Sequence, residues 1–283
     1  MIHLGLTGYP LEHSLSPQIH SAALNASGLE GDYSLFPILP NDLRDLKDLL
    51  ARVRAEEIHG LNVTIPHKQN VIQFLDELSP TAKAIGAVNT IFLRNEKLVG
   101  DNTDAPGFLS DLKRFLGNSS FIFHPSALVL GAGGSARAVV YALVNDGWNV
   151  TVAARRAEQA QQLASQFDNT DTAELNFSTI KPFNFAQGKL SNFQLIVNTT
   201  PVGMMPNINQ SPWSDDLSFP PEAAIYDLVY NPRKTKLVKD ACSAGLPATT
   251  GLGMLVEQAA LAFELWTGQC ISRDVLFSAS EKK

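Results

Sequence analysis

The segment Gly131-Ala-Gly-Gly-Ser-Ala136 has the composition of an anion cradle. Glycines let the backbone turn tightly and approach a ligand closely. A helix starting behind them presents unpaired N–H groups and a partial positive charge, which suits a pyrophosphate. The apolar run Ala127-Leu-Val-Leu130 precedes the turn, and a helix-like stretch from Arg137 to Asp146 follows it. A second strand, Val150-Thr-Val-Ala-Ala154, completes a βαβ unit of the size that binds dinucleotides, with Ala136 in place of the third glycine. The competing reading is a tight turn in an α/β sheet that binds no phosphate. After the second strand come Ala154, Arg155 and Arg156, with no acidic residue until Glu158. An acidic side chain at this point would hold a ribose 2′-OH, whereas arginine accommodates a 2′-phosphate, onto which guanidiniums fork. NADP is therefore expected over NAD, the alternative being two solvated arginines at a helix start.

Ahead of this unit, polar clusters interrupt the apolar pattern. Ser14-Leu-Ser-Pro17 precedes a helix that its hydroxyls could cap. Asn62-Val-Thr-Ile-Pro-His-Lys68 places Asn, Thr and Lys around the end of an apolar strand. Gly86-Ala-Val-Asn-Thr90 puts an amide and a hydroxyl at a strand start, and Asp101-Asn-Thr-Asp104 could merely cap the next helix. Together they supply hydroxyls, amides, an ammonium and a carboxylate near element ends, an inventory that fits a small polyhydroxylated acid.

The elements that must position these groups alternate. Residues 2–7 read as a strand, Pro17 to Gly28 as a helix with Pro at its start and Gly past its end. Asn41 is placed to cap a helix whose Leu43, Leu46, Leu49, Leu50 and Val53 form one apolar face. Ile58 to Ile65 is strand-like, and Pro66 is expected to open a helix carrying Val71, Ile72, Leu75 and Leu78. Thr90–Leu93 and Lys97–Gly100 form a hairpin around Arg94, Asn95 and Glu96. Ala105 to Leu116 is a helix, Gln194–Asn198 and Ala223–Val229 are strands, and Thr235–Ser243 and Leu252–Trp266 are helices. Gly203 to Pro221, rich in Pro, Asn and Ser, reads as a long loop. Alternating β and α elements imply an α/β fold with parallel sheets. More than a hundred residues precede the glycine-rich unit, enough for a separate N-terminal domain, which points to a substrate held between two domains.

Composition narrows the partners. The 283 residues are 45% hydrophobic with a net charge of −6, and no lysine-rich run invites nucleic acid or an anionic membrane. No apolar stretch is long enough to span a bilayer, and the N-terminus has no signal-peptide pattern. The two cysteines, Cys242 and Cys270, form no Cys-x-x-Cys pair and suit a reduced, cytoplasmic protein. The six histidines have no metal-ligand spacing, so no metal is expected.

These clusters, in their order, resemble the shikimate dehydrogenase family along nearly the whole chain. The motifs are Ser-x-Ser-Pro at 14–17, Asn-Val-Thr-x-Pro-x-Lys at 62–68, Gly-Ala-x-Asn at 86–89 and Asn-Thr-Asp at 102–104. They continue as Gly-Ala-Gly-Gly at 131–134, Asn-x-Thr-Pro-x-Gly-Met at 198–204, Asp-x-x-Tyr-x-Pro at 227–232 and Gly-x-x-Met-Leu-x-x-Gln at 251–258. The resemblance implies an NADP-linked, reversible reduction of 3-dehydroshikimate to shikimate, in chorismate and aromatic amino acid biosynthesis. It implies a substrate and catalytic domain over 1–104, a Rossmann-type doubly wound NADP domain over 105–251, and C-terminal helices over 252–283 that return to the first domain. Ser14 and Ser16 would bind the substrate carboxylate. Thr64, Asn89, Asp104 and Gln258 would hold the ring hydroxyls, with Asn62 also in the substrate site and Tyr230 nearby, and Lys68, oriented by Asp104, would be the acid–base residue. Gly131, Ala132, Gly133, Gly134, Ser135, Ala154, Arg155, Arg156, Asn198, Thr199, Leu228, Gly251 and Met254 would form the cofactor site. A homodimer is a further expectation.

Some positions depart from the family pattern. Leu15 stands where lysine is frequent, Ser21 where asparagine is, and Ala105 where glycine is. The usual Asn-Arg-Thr clamp becomes Ala154-Arg155-Arg156, losing an amide and a hydroxyl and gaining a charge. The alternatives are a quinate/shikimate dehydrogenase that tolerates NAD, a non-catalytic NADPH-sensing module of the same fold, and a methylenetetrahydrofolate dehydrogenase-like enzyme. An intact Lys68 and Asp104 argue against the sensor, and the Ser14/Ser16 pair suits a small acid better than a pterin.

Overall fold

The structure, a computed structural model, describes residues 1–117, 125–168, 181–182 and 193–281. The chain runs β1 (Ile2–Gly8), α1 (Ser16–Ser27), β2 (Gly31–Pro37), α2 (Leu43–Arg54), β3 (Gly60–Val63), a 3-10 turn (Asn70–Phe74), β4 (Glu77–Leu78), α3 (Pro80–Ile85), β5 (Thr90–Arg94), β6 (Lys97–Asp101) and α4 (Asp104–Leu116). It continues as β7 (Ser126–Leu130), α5 (Gly134–Asn145), β8 (Asn149–Ala153), α6 (Ala157–Asp168), β9 (Lys181–Pro182), β10 (Leu195–Asn198), β11 (Ala224–Asp227), α7 (Lys236–Ser243), β12 (Ala248–Thr250), α8 (Leu252–Thr267) and α9 (Arg273–Glu281). There are two compact units, Met1–Gly107 with Leu255–Lys283, and Phe108–Met254.

The first unit is built on a six-stranded sheet in the order β2-β1-β3-β5-β6-β4. Strands β2, β1 and β3 are parallel, and β5 runs antiparallel to both β3 and β6. Every residue of the short β3 is buried, as befits a central strand covered on both faces. One core joins Leu4, Leu6, Ile19 and Leu24 to Val256, Phe263 and Leu276, so the C-terminal helices belong to this unit. The other joins Leu46, Leu50 and Val53 of α2 to Ile58, Leu61 and Ile91.

Local chemistry sets most element ends. Pro17 opens α1, and Gly28 closes it in the left-handed conformation at φ 69°, its N–H bonded to Leu24 and Asn25 carbonyls. Asn95 and Glu96 both have positive φ, 51° and 63°, which gives the β5–β6 hairpin the turn whose twist matches its strands. Three elements depart from the pattern expected of the sequence. Asp42, not Asn41, caps α2, accepting from Asp45 N at 3.1 Å. The strand expected over 58–65 pairs only over 60–63. Pro66 opens no helix: after the 3-10 turn the chain becomes extended at Leu75, and Leu78 enters β4. Asp76 draws it there, since its N–H donates to Leu98 O at 3.0 Å and its carboxylate accepts from Leu98 N at 2.7 Å.

The second unit is a six-stranded sheet, β12-β11-β10-β7-β8-β9, parallel throughout. Counted from β7, the strand order is 3-2-1-4-5-6, the Rossmann arrangement, whose switch point lies between β7 and β10. Helix α5 begins at Gly134, earlier than Arg137, and buries Ala136, Val139, Val140 and Leu143. Residues 203–221 contain turns but no helix or strand, as expected of the long loop.

His20 lies on the buried face of α1, fully removed from solvent. Its ring stacks on Tyr33 at 4.4 Å and 3°, and neither ring nitrogen is within hydrogen-bond geometry of a partner among the described residues. Burial drives its pKa down from 6.5 to about 3, against a smaller upward pull from Asn62. The unfolded chain takes a proton near 6.5, whereas the folded chain resists until about 3, so this group costs stability progressively as pH falls between those values. At about 1.4 kcal/mol per pH unit the full loss is on the order of 5 kcal/mol. Urea melts between pH 7 and pH 3.5 should lose stability more steeply for the wild type than for His20→Phe; parallel pH profiles would refute the assignment.

Candidate active site

The first unit converges on Asp104. It opens α4, and its side chain is 6% exposed. Lys68, in the segment after β3, reaches it with Nζ to Oδ2 at 2.5 Å, its own side chain only 12% exposed. The other oxygen, Oδ1, accepts from Asn89 Nδ2 at 3.0 Å. Asn102 Oδ1 accepts from Ala105 N at 3.2 Å, so Asn102 takes the capping role at this helix start. Asp104 is thus left to pair with the lysine, at a helix end that favours negative charge.

Asn89 holds this arrangement together. Its Nδ2 lies 2.9 Å from Thr103 Oγ1 and 3.3 Å from Gln258 Oε1 as well as near Asp104. Its Oδ1 accepts from the Thr103 N–H at 2.7 Å and from the Thr90 hydroxyl at 3.1 Å. Because a backbone N–H can only donate, it fixes which way the amide faces. Gln258 comes within reach from α8 because α4 carries Gly107 at the contact, where a Cβ would stand 2.8 Å from Gln258 N. Thr103 has no role in the sequence expectation, and Thr90 enters it only as a hydroxyl at a strand start. Their signal lay in two Asn-Thr pairs, at 89–90 and 102–103, already inside recognised motifs.

The remaining substrate candidates of this unit lie at the start of α1 and at the end of β3. Asn62, in β3, is buried; its Oδ1 accepts from Tyr33 OH at 2.8 Å and its Nδ2 donates to Asn89 O at 3.1 Å. Neither the Thr64 hydroxyl nor the Ser16 hydroxyl has a partner among the described residues. Ser14 Oγ accepts from Ser16 N at 3.2 Å, which leaves its own hydrogen free to donate. The cap position of α1 is Leu15, with no side-chain cap bond. His67 faces the core, with Nε2 on Ile38 O at 2.8 Å. Tyr230 belongs to the second unit, in the segment after β11.

In the second unit the glycine turn links β7 to α5. Gly131 has φ 117°, and a Cβ on it would lie 2.4 Å from Thr199 Oγ1, so both conformation and space demand glycine. Gly133 is the cap of α5, and around its missing Cβ nothing lies within 4 Å. Ala132, Gly134 and Ser135 complete the cradle beside the first turn of α5, half-buried. Ala154, Arg155 and Arg156 join β8 to α6, and both guanidiniums are exposed without a polar partner among the described residues. Open glycine backbone at a helix start and two unpaired cations at the next strand end fit a pyrophosphate and a 2′-phosphate. Thr199 anchors to Leu130 O through both N–H, at 2.9 Å, and hydroxyl, at 2.7 Å. Asn198 is fully buried and turns its amide inward, Nδ2 to Asp227 at 2.8 Å. Gly251 lies against Leu228, its absent Cβ 2.3 Å from Leu228 O, and Met254 is 7% exposed. Among the described residues, no group of three or more His, Cys, Asp or Glu is placed to hold a metal ion, and no helix is long and apolar enough to cross a membrane.

Residues 6–91 match the shikimate dehydrogenase substrate binding domain, residues 117–200 the shikimate/quinate 5-dehydrogenase family, and residues 251–275 the shikimate 5′-dehydrogenase C-terminal domain. A Bacillus subtilis shikimate dehydrogenase (NADP(+)) is 40% identical over 266 residues, spanning 94% of this chain and 91% of its own. The shikimate 5-dehydrogenase of Thermus thermophilus, solved in complex with NADP(H) and shikimate, superposes with a TM-score of 0.85 at 38% identity, covering 99% of this chain and 98% of that one. The ligand-free 5-ketofructose reductase of a Gluconobacter strain superposes with a TM-score of 0.82 at 29% identity, covering 99% and 98%.

The exposed arginines give a direct test of cofactor choice. NADP and NAD differ by the 2′-phosphate alone, so Arg155→Ala should weaken NADP binding roughly tenfold and leave weak NAD binding unchanged, with added salt mimicking part of the loss. Equal loss with both cofactors would mean that Arg155 supports the fold or an adenine pocket, not a phosphate.

Proposed function

The chain belongs to the shikimate dehydrogenase family, and on that footing we propose that it catalyses the NADP-dependent, reversible reduction of 3-dehydroshikimate to shikimate, a step toward chorismate and the aromatic amino acids, with Lys68 as the acid–base residue. The observation that carries the lysine assignment is the buried Lys68–Asp104 pair, tied through Asn89 to Gln258. NADPH, when bound, supplies a hydride. Reduction of a carbonyl leaves an alkoxide, and Lys68 Nζ stabilises and protonates it; in the reverse direction the same nitrogen takes the proton. Asp104 holds Lys68 in place and accepts from a ring hydroxyl.

The free hydroxyl of Ser16 and the free hydrogen of Ser14 suit the substrate carboxylate. The free hydroxyl of Thr64, with Asn89 and Gln258, suits ring hydroxyls. Asn62 acts behind them, through Tyr33 and the Asn89 carbonyl. In the second unit Gly131–Ser135 suit the pyrophosphate and Arg155, reinforced by Arg156, the 2′-phosphate; Thr199, Leu228, Gly251 and Met254 frame the rest of the cofactor. Two cysteines, both free, accord with a cytoplasmic enzyme. A homodimer belongs to the same reading, which sedimentation velocity decides.

An assay pairing shikimate and quinate with NADP+ and NAD+ tests the substrate and cofactor; turnover greatest with shikimate and NADP+ is expected, and turnover greater with quinate and NAD+ would favour the quinate/shikimate alternative. Lys68→Ala should lower turnover about 10²–10⁴-fold while weakening shikimate binding far less. Because it leaves a buried carboxylate without its cation, it should also melt earlier, and rates are compared below its Tm. Near-normal turnover would remove the lysine from the mechanism.

A further inference from the structure

Asp227 stands at the end of β11 with no exposed surface, where the preceding residues of the strand are Ala224, Ile225 and Tyr226. A buried carboxylate is costly unless every lone pair is used. No cation pairs with it among the described residues; three donors do. Asn198 Nδ2 at 2.8 Å and Val229 N at 3.1 Å donate to Oδ1, and the Thr235 hydroxyl at 2.6 Å donates to Oδ2. Burial raises its pKa to about 6, above which both oxygens can only accept.

That restriction acts on Asn198. Facing a group that only accepts, the amide must turn Nδ2 toward Asp227 and Oδ1 away. Oδ1 then accepts the Thr200 N–H at 2.9 Å and the Thr200 hydroxyl at 2.7 Å. The strand pairing of β10 with β7 ends at Asn198 and Leu130; past it one backbone bond, Thr199 N to Leu130 O at 2.9 Å, remains, and side-chain bonds supply the rest. There Thr199 lies against Gly131, the first glycine of the turn, at the switch point of the sheet. We infer that Asp227 is a positioning residue for the cofactor: through the amide of Asn198 it sets the 198–200 loop against the glycine turn.

This rests on the second unit holding NADP, and the test separates the two. NADP+ and shikimate are titrated separately by calorimetry into the wild type, Asp227→Ala, Asp227→Asn and Thr235→Val, with thermal melts alongside. Asp227→Ala should weaken NADP+ by about tenfold or more, the scale of one lost charge-assisted bond, and leave shikimate within about twofold. Asp227→Asn can keep its oxygen toward Asn198 and give its amide hydrogens to Thr235, so it should stay within about threefold of the wild type. Thr235→Val loses the α7 cap bond to Val238 N but spares the Asn198 contact. It should melt earlier yet keep NADP+ affinity within about threefold. If Asp227→Ala does not fold, Asp227→Ser, too short to reach Asn198 and Thr235 together, makes the same comparison. Wild-type affinity for NADP+ in the Ala or Ser variant would overturn the inference, as would an equal loss in Thr235→Val. A wild type that binds no NADP+ would instead overturn the cofactor reading itself.

Discussion

A buried carboxylate must be given partners for both oxygens, and much of the first unit is arranged to do so for Asp104. Lys68 supplies one partner and Asn89 the other. Lys68 arrives on the segment beyond β3, Asn89 on the approach to β5, and Asp104 at the start of α4, so three chain segments must converge within a few ångströms. The mixed sheet makes that possible. Antiparallel pairing of β3, β5 and β6 brings their polar ends to one place, with Asn89 N donating to Asp101 O at 3.1 Å and Val63 N to Asn89 O at 2.8 Å. The C-terminal helices complete the arrangement, since Gln258 reaches Asn89 from α8.

The second unit solves a different problem with the same kind of parts. A cofactor cradle needs backbone that is open to a ligand, yet backbone beyond a strand end has no ladder to hold it. Glycine at 131 gives the open conformation, and hydrogen bonds from Thr199 to Leu130 O supply the rigidity that glycine removes. The recognition surface divides accordingly. On the proposed reading, rigid backbone would face the common part of any dinucleotide, and the exposed arginines on the β8–α6 connection would take the 2′-phosphate.

The sequence made legible what depends on local chemistry or on strong periodicity. The β7–α5–β8 unit, the β5–β6 hairpin, and α1 with Pro17 and Gly28 were all readable, because turn residues and caps announce themselves. Strand β2 was not: only Tyr33 of its seven residues is buried, and an edge strand with polar alternation resembles a loop. The segment after Pro66 misled for the opposite reason. Val71, Ile72, Leu75 and Leu78 have helical spacing, but a tertiary contact from Asp76 to β6 outweighed it. In the site, Lys68, Asn89 and Asp104 were named by their motifs, yet no sequence pattern states that one asparagine bridges Thr103, Asp104 and Gln258. Asp227 was visible only as a motif letter, since burial and three converging donors are properties of the folded chain.

On the proposed mechanism Lys68 and Asp104 face the reacting oxygen, with Ser14 and Ser16 at the acid end of the substrate. A crystal structure with shikimate and NADP+ measures this most directly. The hydroxyl that is oxidised is expected within about 2.6–3.2 Å of Lys68 Nζ, and the carboxylate on the two serine hydroxyls. A substrate bound the other way round, with its carboxylate on Lys68 and its reacting hydroxyl at Ser14 and Ser16, would contradict it.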